Sequence, residues 1–387
     1  MLALLSLSLH APLPARSRSA RVMWPSRARA AHASCPPVVP PLPSSVEGWR
    51  TFAASVGMRL GEAFAFPAPP PPPHAQLEAL RASMSSDGYF VLPEVCQEEL
   101  SLCAGAIDRL EEAGLPPQFL LLFDETWKVV DRATSALSSA FRLANVQDFF
   151  IFNVKPGMTG WGMHRDRAGP ASSRAFTEQG LPLYTTVWVA LTDASVQTSC
   201  IYLLPASADP AYRDPQSEPA EDPEIVLRQH QYVRAIPANR GTVLSWSQRV
   251  IHWGSASPPG APSSRKTLAF AMADPSYELP SIHPRSSGSL PLVEERLALI
   301  AFTLVCYHHT RPVTPSMRPV LLELLRDHAH HLTDAALGSR NGNHFQSNLH
   351  LLWEAARTSA DTRSSLAASE VYAHLEGRGL VERRVQH

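Results

Sequence analysis

The chain has 387 residues, a formal net charge of -1 and a sequence pI near 7.0, with 44% hydrophobic and 18% charged residues. This composition is typical of a globular protein, and the neutral balance gives no electrostatic reason to expect a nucleic-acid partner or an anionic membrane. No apolar run reaches the roughly eighteen residues that a membrane-spanning helix needs. Five scattered cysteines without C-x-x-C spacing predict neither a disulfide framework nor a zinc knuckle. We therefore expect a small-molecule substrate, while the oligomeric state stays open.

The N-terminal segment has the composition of a targeting peptide. No acidic residue precedes Glu47, and five arginines lie there among serine, alanine and proline. We expect residues 1–46 to form a disordered leader that directs the protein to a plastid or a mitochondrion. Two alternatives stay open. The apolar start MLALLSLSL is similar to a signal-peptide core, and the segment could instead be an untargeted leader on a cytoplasmic protein.

A proline-rich stretch, FPAPPPPPHA, follows the leader. It predicts an extended polyproline II spacer, so we assign residues 47–74 to a linker and expect folding to begin near residue 75. The next segment predicts a helix that Asp87-Gly88 stops, and a short strand from Tyr89 to Leu92. Apolar residues at helical spacing then predict a second helix, which ends at Gly114.

Residues 149–274 show a different pattern, in which short β-branched and aromatic runs alternate with turn residues. The runs are FFIFNVKPG, LYTTVWVALTD, CIYLLP, GTVLSW, RVIHWG and KTLAFAMAD. Many short strands separated by turns are typical of a β-sandwich or a barrel of the jelly-roll type. Helical spacing returns after residue 290. The sequence therefore predicts an α+β protein with a mainly β core over 75–290 and a helical extension over 291–387 that packs on this core.

Two histidines and an aspartate are candidate metal ligands. His164 and Asp166 lie two residues apart in GWGMHRDRAGP, so on a strand both side chains point to the same face. His252 follows 88 residues later, where the run RVIHWG meets a turn. Two imidazoles and one carboxylate form the facial triad of non-haem Fe(II) oxygenases, which leaves coordination positions for a cosubstrate and O₂.

A candidate carboxylate-binding pair follows the second histidine. Arg265 begins the run RKTLAFAMAD and Thr267 lies two residues further, again on one face. A guanidinium fork beside a hydroxyl suits a terminal carboxylate, which it can hold through two parallel hydrogen bonds.

Four stretches of this chain, within residues 78–275, carry a resemblance to a known family. They are SDGYFVLPEV, NVKPGMTGWGMHRD, VWVALTDASVQTSCIYLLPASA and RGTVLSWSQRVIHWGSASPPGAPSSRKTLAFAMAD. In this order and spacing the sequence resembles the phytanoyl-CoA dioxygenase-like Fe(II)/2-oxoglutarate oxygenases. The resemblance implies a double-stranded β-helix (a cupin-like jelly roll) with flanking helices, and Fe(II) bound by His164, Asp166 and His252. It also implies that Arg265 grips 2-oxoglutarate and that Trp188 lines its pocket.

Some positions depart from the family pattern. Members usually read Asn-Gly-Cys and Pro-Gly-Ser-His where this chain reads Thr198-Ser199-Cys200 and Pro205-Ala206-Ser207-Ala208. Gly254 replaces a hydroxyl that often follows the distal histidine by two residues, so we name Ser255 and Thr267 as possible substitutes in cosubstrate binding.

The expected activity is oxidation of a small-molecule or acyl substrate, with 2-oxoglutarate and O₂ converted to succinate and CO₂. Hydroxylation is the expected outcome, and desaturation or ring closure are alternatives. Two other hypotheses stay open. The chain could be a catalytically silent relative that serves as a binding or scaffold module, which the altered loop favours, or a cupin-like enzyme with another metal, which Arg265 and Thr267 disfavour. His328 and His331 lie one helical turn apart without a third ligand, so a solvated helix face is expected there and not a zinc site.

Overall fold

The computed structural model describes most of the chain after residue 42. The described residues are 43, 45–61, 73–92, 98–167, 174–213, 226, 228–283, 289–308, 313–338, 340–357, 369, 370, 373 and 377. They belong to one of two compact units, Pro37–His387, whereas the other unit, Met1–Pro36, lies outside the described residues. The predicted leader, 1–46, therefore falls almost wholly outside them. Across the described residues, no helix combines the length and the apolar character that crossing a membrane requires.

The described part of the chain has nine strands, with two helices before the first strand, two between the first and the second, and four after the last. The helices are α1 (Val46–Ser55), α2 (His74–Asp87), α3 (Glu98–Glu112), α4 (Asp124–Phe141), α5 (Val293–Cys306), α6 (Arg318–His328), α7 (Asp334–Gly338) and α8 (Arg340–Arg357). The strands are β1 (Tyr89–Leu92), β2 (Ala144–Val154), β3 (Trp161–His164), β4 (Tyr184–Ala190), β5 (Ile201–Leu204), β6 (Arg234–Ile236), β7 (Val243–Ser247), β8 (Ile251–Gly254) and β9 (Arg265–Ala273). The helix that ends at Asp87 and the strand from Tyr89 to Leu92 confirm the prediction for this segment.

The strands form two antiparallel sheets. The larger sheet has the order β1-β7-β4-β9-β2 and the smaller one the order β3-β8-β5-β6. An apolar cluster joins their inner faces, with Trp188 and Ala269 from the larger sheet and Ile201 and Leu203 from the smaller. The two facing sheets are the jelly roll that the sequence predicted, and they belong to an α+β fold because helices flank them.

Side chains of the larger sheet alternate between two apolar environments. On β4, Val187 and Val189 pack in the main core with the helices, while Trp188 and Ala190 face the smaller sheet. All seven residues of this strand are buried because both faces of the sheet are covered. This two-sided burial explains why the central strands are near-continuous apolar runs and not strictly alternating ones.

The region predicted as a linker, 47–74, contains part of the core. Ser45 caps α1 by accepting a hydrogen bond from the backbone N–H of Gly48 at 3.2 Å, and Trp49 stacks on Phe119 with 6.1 Å between ring centroids. Trp49 and Ala53 lie one turn apart on the buried face of this helix. The prediction that folding begins near residue 75 is wrong for this helix, while most of the proline run, 62–72, lies outside the described residues.

The first helix of the C-terminal extension lies deep in the main core. Almost every side chain of α5 is buried, including Leu297, Ile300, Ala301 and Leu304, which lie on one face at helical spacing. Even Arg296 is buried, and its charge is paired there because Nη1 donates to Asp124 Oδ1 at 2.8 Å. The α5 helix packs against β2 and α6, so this part of the extension shares the core of the β domain.

Candidate metal centre and cosubstrate pocket

Strand pairing brings the three predicted metal ligands together. His164 at the end of β3 is the register partner of His252 on β8, and Asp166 follows β3 by two residues. Oδ1 of Asp166 lies 3.4 Å from Nε2 of His164 and 3.5 Å from Nε2 of His252. One ligand atom from each residue lies within 4.8 Å of the other two. Three donors therefore face one point between the two sheets.

Hydrogen bonds orient each ligand towards this point. The Nδ1 atoms of His164 and His252 contact the carbonyl oxygens of Gly162 and Val250 at 2.7 and 3.0 Å. A carbonyl accepts only from a protonated Nδ1, so Nε2 of each ring keeps its lone pair for a metal. Oδ2 of Asp166 accepts from Thr186 Oγ1 at 2.6 Å and from Trp246 Nε1 at 2.9 Å. Oδ1 is thus the oxygen left for a metal.

The electrostatics of His252 and Asp166 also suit metal binding. Burial lowers the pKa of His252 to about 4, so its imidazole is neutral near pH 7. Burial alone would raise the pKa of Asp166, but the nearby imidazoles of His252 and His164 and the hydrogen bond from Thr186 outweigh burial and hold this pKa well below its usual range. Two imidazoles and one carboxylate are the donor set expected for Fe(II) with open coordination positions. The site fits Fe(II).

Arginines beside the ligands brace the site, and the sequence did not single them out. Arg165 lies between His164 and Asp166 in sequence, and its Nη1 donates to Asp209 Oδ2 at 2.5 Å and to the carbonyl of Arg249. Arg249 in turn donates from Nη2 to the carbonyl of Ala211 at 2.9 Å. The Arg165 and Asp209 side chains are fully enclosed. This network links the segment before His252 to the segment that carries His164 and Asp166.

The predicted carboxylate-binding pair lies on the inner face of β9. Thr267 is the register partner of Ala190, and both neighbour the Trp188–Ala269 pair of the inner cluster. The Thr267 hydroxyl is buried and has no hydrogen-bond partner among the described residues. The Arg265 guanidinium is buried against Gly254, where an added Cβ would lie 3.3 Å from both Nη1 and Nη2. A guanidinium and an unsatisfied hydroxyl on one face suit the distal carboxylate of 2-oxoglutarate.

The glycine at position 254 has a physical reason in this geometry. A side chain there would lie close to the Arg265 guanidinium, which would have to shift by a few tenths of an ångström to make room for it. The neighbouring Ser255 does not simply replace the family hydroxyl at position 254, since its Oγ accepts from the backbone N–H of Cys200 at 3.1 Å. Its carbonyl accepts from Ser199 Oγ at 2.6 Å. Ser255 therefore braces the 198–200 turn, whereas the Thr267 hydroxyl has no hydrogen-bond partner among the described residues.

Other candidates from the sequence are not part of this centre. His328 and His331 have ring centroids 6.5 Å apart, but within the described residues the group of three potential ligands that converges is the triad above. Thr186 and Trp246, which hold Asp166, carry no local signal in the sequence. They are register partners on β4 and β7, so their joint position follows from sheet pairing alone.

Comparisons with known proteins found one matching family and a set of similar solved structures. The phytanoyl-CoA dioxygenase (PhyH) family model matches residues 84–259, and no curated protein is significantly similar in sequence. Among solved structures, the non-heme α-ketoglutarate-dependent epimerase SnoN from nogalamycin biosynthesis is 18% identical, with a TM-score of 0.40 and coverage of 52% of this chain and 81% of its own. The carbocyclase SnoK from nogalamycin biosynthesis is 20% identical, with a TM-score of 0.40 and coverage of 53% and 87%. HygX from Streptomyces hygroscopicus, with nickel and 2-oxoglutarate bound, is 15% identical, with a TM-score of 0.38 and coverage of 53% and 88%.

The family match and the metal centre occupy the same part of the chain. Residues 84–259 include β3 with His164, the following Asp166, and β8 with His252. They also include β5 and β7, which flank the centre in the two sheets. Residues 84–259 of this chain are therefore similar to the phytanoyl-CoA dioxygenase (PhyH) family, and this match includes all three candidate metal ligands.

Proposed function

We propose that the protein is an Fe(II)- and 2-oxoglutarate-dependent dioxygenase that hydroxylates a small-molecule or acyl substrate and releases succinate and CO₂. The observation that carries the proposal is the convergence of His164, Asp166 and His252 within 4.8 Å, next to a buried guanidinium and an unsatisfied hydroxyl. Bound Fe(II), with 2-oxoglutarate and O₂, supplies the oxidising power for cleavage of a C–H bond. The match of residues 84–259 to the PhyH family model supports the oxidoreductase class.

The side chains have distinct tasks in this proposal. His164, Asp166 and His252 hold the iron and occupy one face of its coordination sphere, which leaves positions for ligands. Arg265 and Thr267 bind the distal carboxylate of 2-oxoglutarate and so orient its other end towards the metal. The apolar surroundings exclude water from the reacting groups, which strengthens these charged contacts.

The presence of Asp166 supports hydroxylation over halogenation. Relatives that halogenate carry a small residue at the carboxylate position, which opens a coordination place for chloride. This chain keeps an aspartate there, and Thr186 and Trp246 hold it in a ligating orientation. We therefore propose hydroxylation and expect chloride to change neither rate nor product mass. Mass spectrometry of the product distinguishes hydroxylation from desaturation, ring closure and chlorination.

Succinate release tests the proposal directly. Purified protein with Fe(II) and 2-oxoglutarate should release succinate aerobically, and a metabolite-library screen for stimulated release should identify the substrate. His164→Ala should release none, whereas the exposed His283→Ala should match the unmodified protein. If the unmodified protein binds Fe(II) and 2-oxoglutarate but never yields succinate, it is a silent binding module and not an enzyme.

We propose further that residues 1 to about 46 are a leader for a plastid or a mitochondrion. The support is compositional, since five arginines and no acidic residue precede Glu47. A fluorescent reporter fused to these residues should enter one of these organelles. A reporter that stays in the cytosol would reject the leader.

A further inference from the structure

Four aromatic rings line the side of the metal centre near His164, and we call Phe150, Phe152, Trp161 and Tyr307 the aromatic wall. Phe150 and Phe152 lie two residues apart on β2 and stack with centroids 6.2 Å apart and planes at 5°. The Trp161 ring lies edge-on to both, at 6.4 and 5.6 Å. The Tyr307 ring lies 4.4 Å from Phe150. Three separate segments thus build one aromatic surface.

The aromatic wall faces the same interior as the cosubstrate pocket. Phe152 is the register partner of Thr267, so both side chains lie on the inner face of the larger sheet. On the smaller sheet, the Trp161 ring lies 6.2 Å from the His164 ring. The wall therefore joins the predicted 2-oxoglutarate face to one of the metal ligands.

Of the two histidines of the centre, the one next to the aromatic wall is the more exposed to solvent. The His164 side chain is 28% exposed, whereas that of His252 is 5% exposed. The four residues of the aromatic wall are likewise neither fully buried nor fully exposed. The aromatic wall therefore lies on the more exposed side of the centre, where a molecule that approaches beside His164 would contact it.

Tyr307 follows α5 and lies outside residues 84–259, the part that matches the family. Its hydroxyl donates to Asp148 Oδ1 at 2.8 Å, and Tyr184 donates to Oδ2 of the same carboxylate at 3.5 Å. Burial, with Asp148 nearby, raises the pKa of Tyr307 well above its usual value, so the phenol stays a donor. The buried carboxylate thus fixes the position of the Tyr307 ring.

The positive charge of Arg167, near the aromatic wall, is already neutralised by a carboxylate. Arg167 lies over the Tyr184 ring at 4.5 Å, and its Nη2 donates to both carboxylate oxygens of Glu278 at 3.0 and 2.8 Å. A guanidinium engaged in this way is poorly placed to bind a phosphate group of a carrier. The contacts that the wall itself offers are stacking and apolar burial.

We propose that the aromatic wall binds an apolar ring of the prime substrate, either aromatic or fused alicyclic, and that Tyr307 is a specificity-determining residue supplied by the C-terminal helices. This inference rests on the proposed function, because it places a substrate ring next to the bound metal. A ring stacked on Phe150 and Tyr307 would hold an attached C–H bond near the open side of the centre.

Binding of two alcohols to protein loaded with Ni(II) and 2-oxoglutarate tests the wall without turnover. Isothermal titration should be carried out with 2-naphthylmethanol, which has a ring, and 1-octanol, which does not. Tyr307→Leu keeps apolar bulk but removes the ring, so it should weaken naphthylmethanol binding about tenfold, the value of one aromatic contact, and leave octanol unchanged. Tyr307→Phe keeps the ring and should stay within about threefold of the unmodified protein. The exposed Tyr232→Leu is the matched control.

The outcomes separate this inference from the proposed function. If Ni(II) and 2-oxoglutarate bind but Tyr307→Leu leaves naphthylmethanol affinity unchanged, the aromatic wall is wrong and the metal site stands. If the metal fails to bind while naphthylmethanol binding still depends on Tyr307, the proposed function is wrong and the wall stands. Should Tyr307→Leu fail to fold, Trp161→Leu carries the same expectation of a tenfold loss confined to the ring-bearing alcohol, and an unchanged affinity there overturns the proposal.

Discussion

Ser199 holds a backbone conformation that usually requires glycine, and two substitutions should reveal its cost. The φ angle of Ser199 is 107°, and the residue is fully buried beside the cosubstrate pocket. Its Oγ donates to the carbonyl of Ser255 at 2.6 Å. We expect Ser199→Gly to be more stable than Ser199→Ala by about 1 kcal/mol, the reverse of the usual order for these two residues.

The magnitude follows from three contributions. Both substitutions remove the hydrogen bond to Ser255, which destabilises each by about 1–2 kcal/mol. Only glycine relieves the positive φ, which is worth about 1–3 kcal/mol for a residue with a Cβ. Glycine also gives the unfolded chain more freedom, which offsets about 0.4–1 kcal/mol of that gain. The hydrogen-bond contribution cancels in the comparison, so the difference between the two variants reports the backbone alone.

Urea unfolding at 25 °C measures this difference, and Ser281 provides the control. Ser281 is buried, has a negative φ and donates from Oγ to the carbonyl of Val146 at 3.1 Å. There the glycine variant should be less stable than the alanine variant by about 0.5–1 kcal/mol. If glycine is also the less stable variant at position 199, the 198–200 turn is not strained and our reasoning about its departure from the family pattern fails.

Three further predictions concern the metal, the cosubstrate and the C-terminal helices. One Fe(II) per chain should bind anaerobically with 2-oxoglutarate and give a weak metal-to-ligand absorption band, which His164→Ala should abolish. Arg265→Ala should retain Fe(II) but raise the KM for 2-oxoglutarate at least about thirtyfold, because a desolvated charged pair is worth about 2–5 kcal/mol; the exposed Arg240→Ala should leave this KM unchanged. Truncation after residue 288 removes α5 from the main core and should give insoluble protein, and a soluble, active core would contradict this.

Local pattern was enough to predict seven of the nine strands in the described residues, all but β3 and β6, and to single out the three candidate metal ligands that the structure brings together. The runs that became β4 and β9 are apolar because helices cover one face and the smaller sheet covers the other. His164 and Asp166 were identifiable because a spacing of two residues places side chains on one face. His252 lay at the end of a similar run, and its pairing with His164 needed only that two strands be neighbours.

Other parts of the site depend on the pairing of strands that are far apart in the sequence, which local pattern does not encode. Thr186 and Trp246 hold Asp166 because β4 and β7 pair in one register, and a shift of one residue would turn both side chains to the other face. Helix α1 did carry a signal in its serine cap and the four-residue spacing of Trp49 and Ala53. The neighbouring proline run dominated the composition of residues 47–74, and a helix of ten residues has too few turns for its apolar spacing to be recognised.

The carboxylate of Asp148 shows why the C-terminal helices and the β core form one site. In the sequence it stands directly before the apolar run FFIF, where an ionised group costs several kcal/mol unless it is paired. That cost predicts that partners exist but does not name them, and the structure supplies Tyr184 from β4 and Tyr307 from the turn after α5. Because the same Tyr307 ring lies 4.4 Å from the Phe150 ring, the partner of a buried carboxylate is also a member of the aromatic wall. The requirement for a partner at Asp148 therefore couples the helical extension to the choice of substrate.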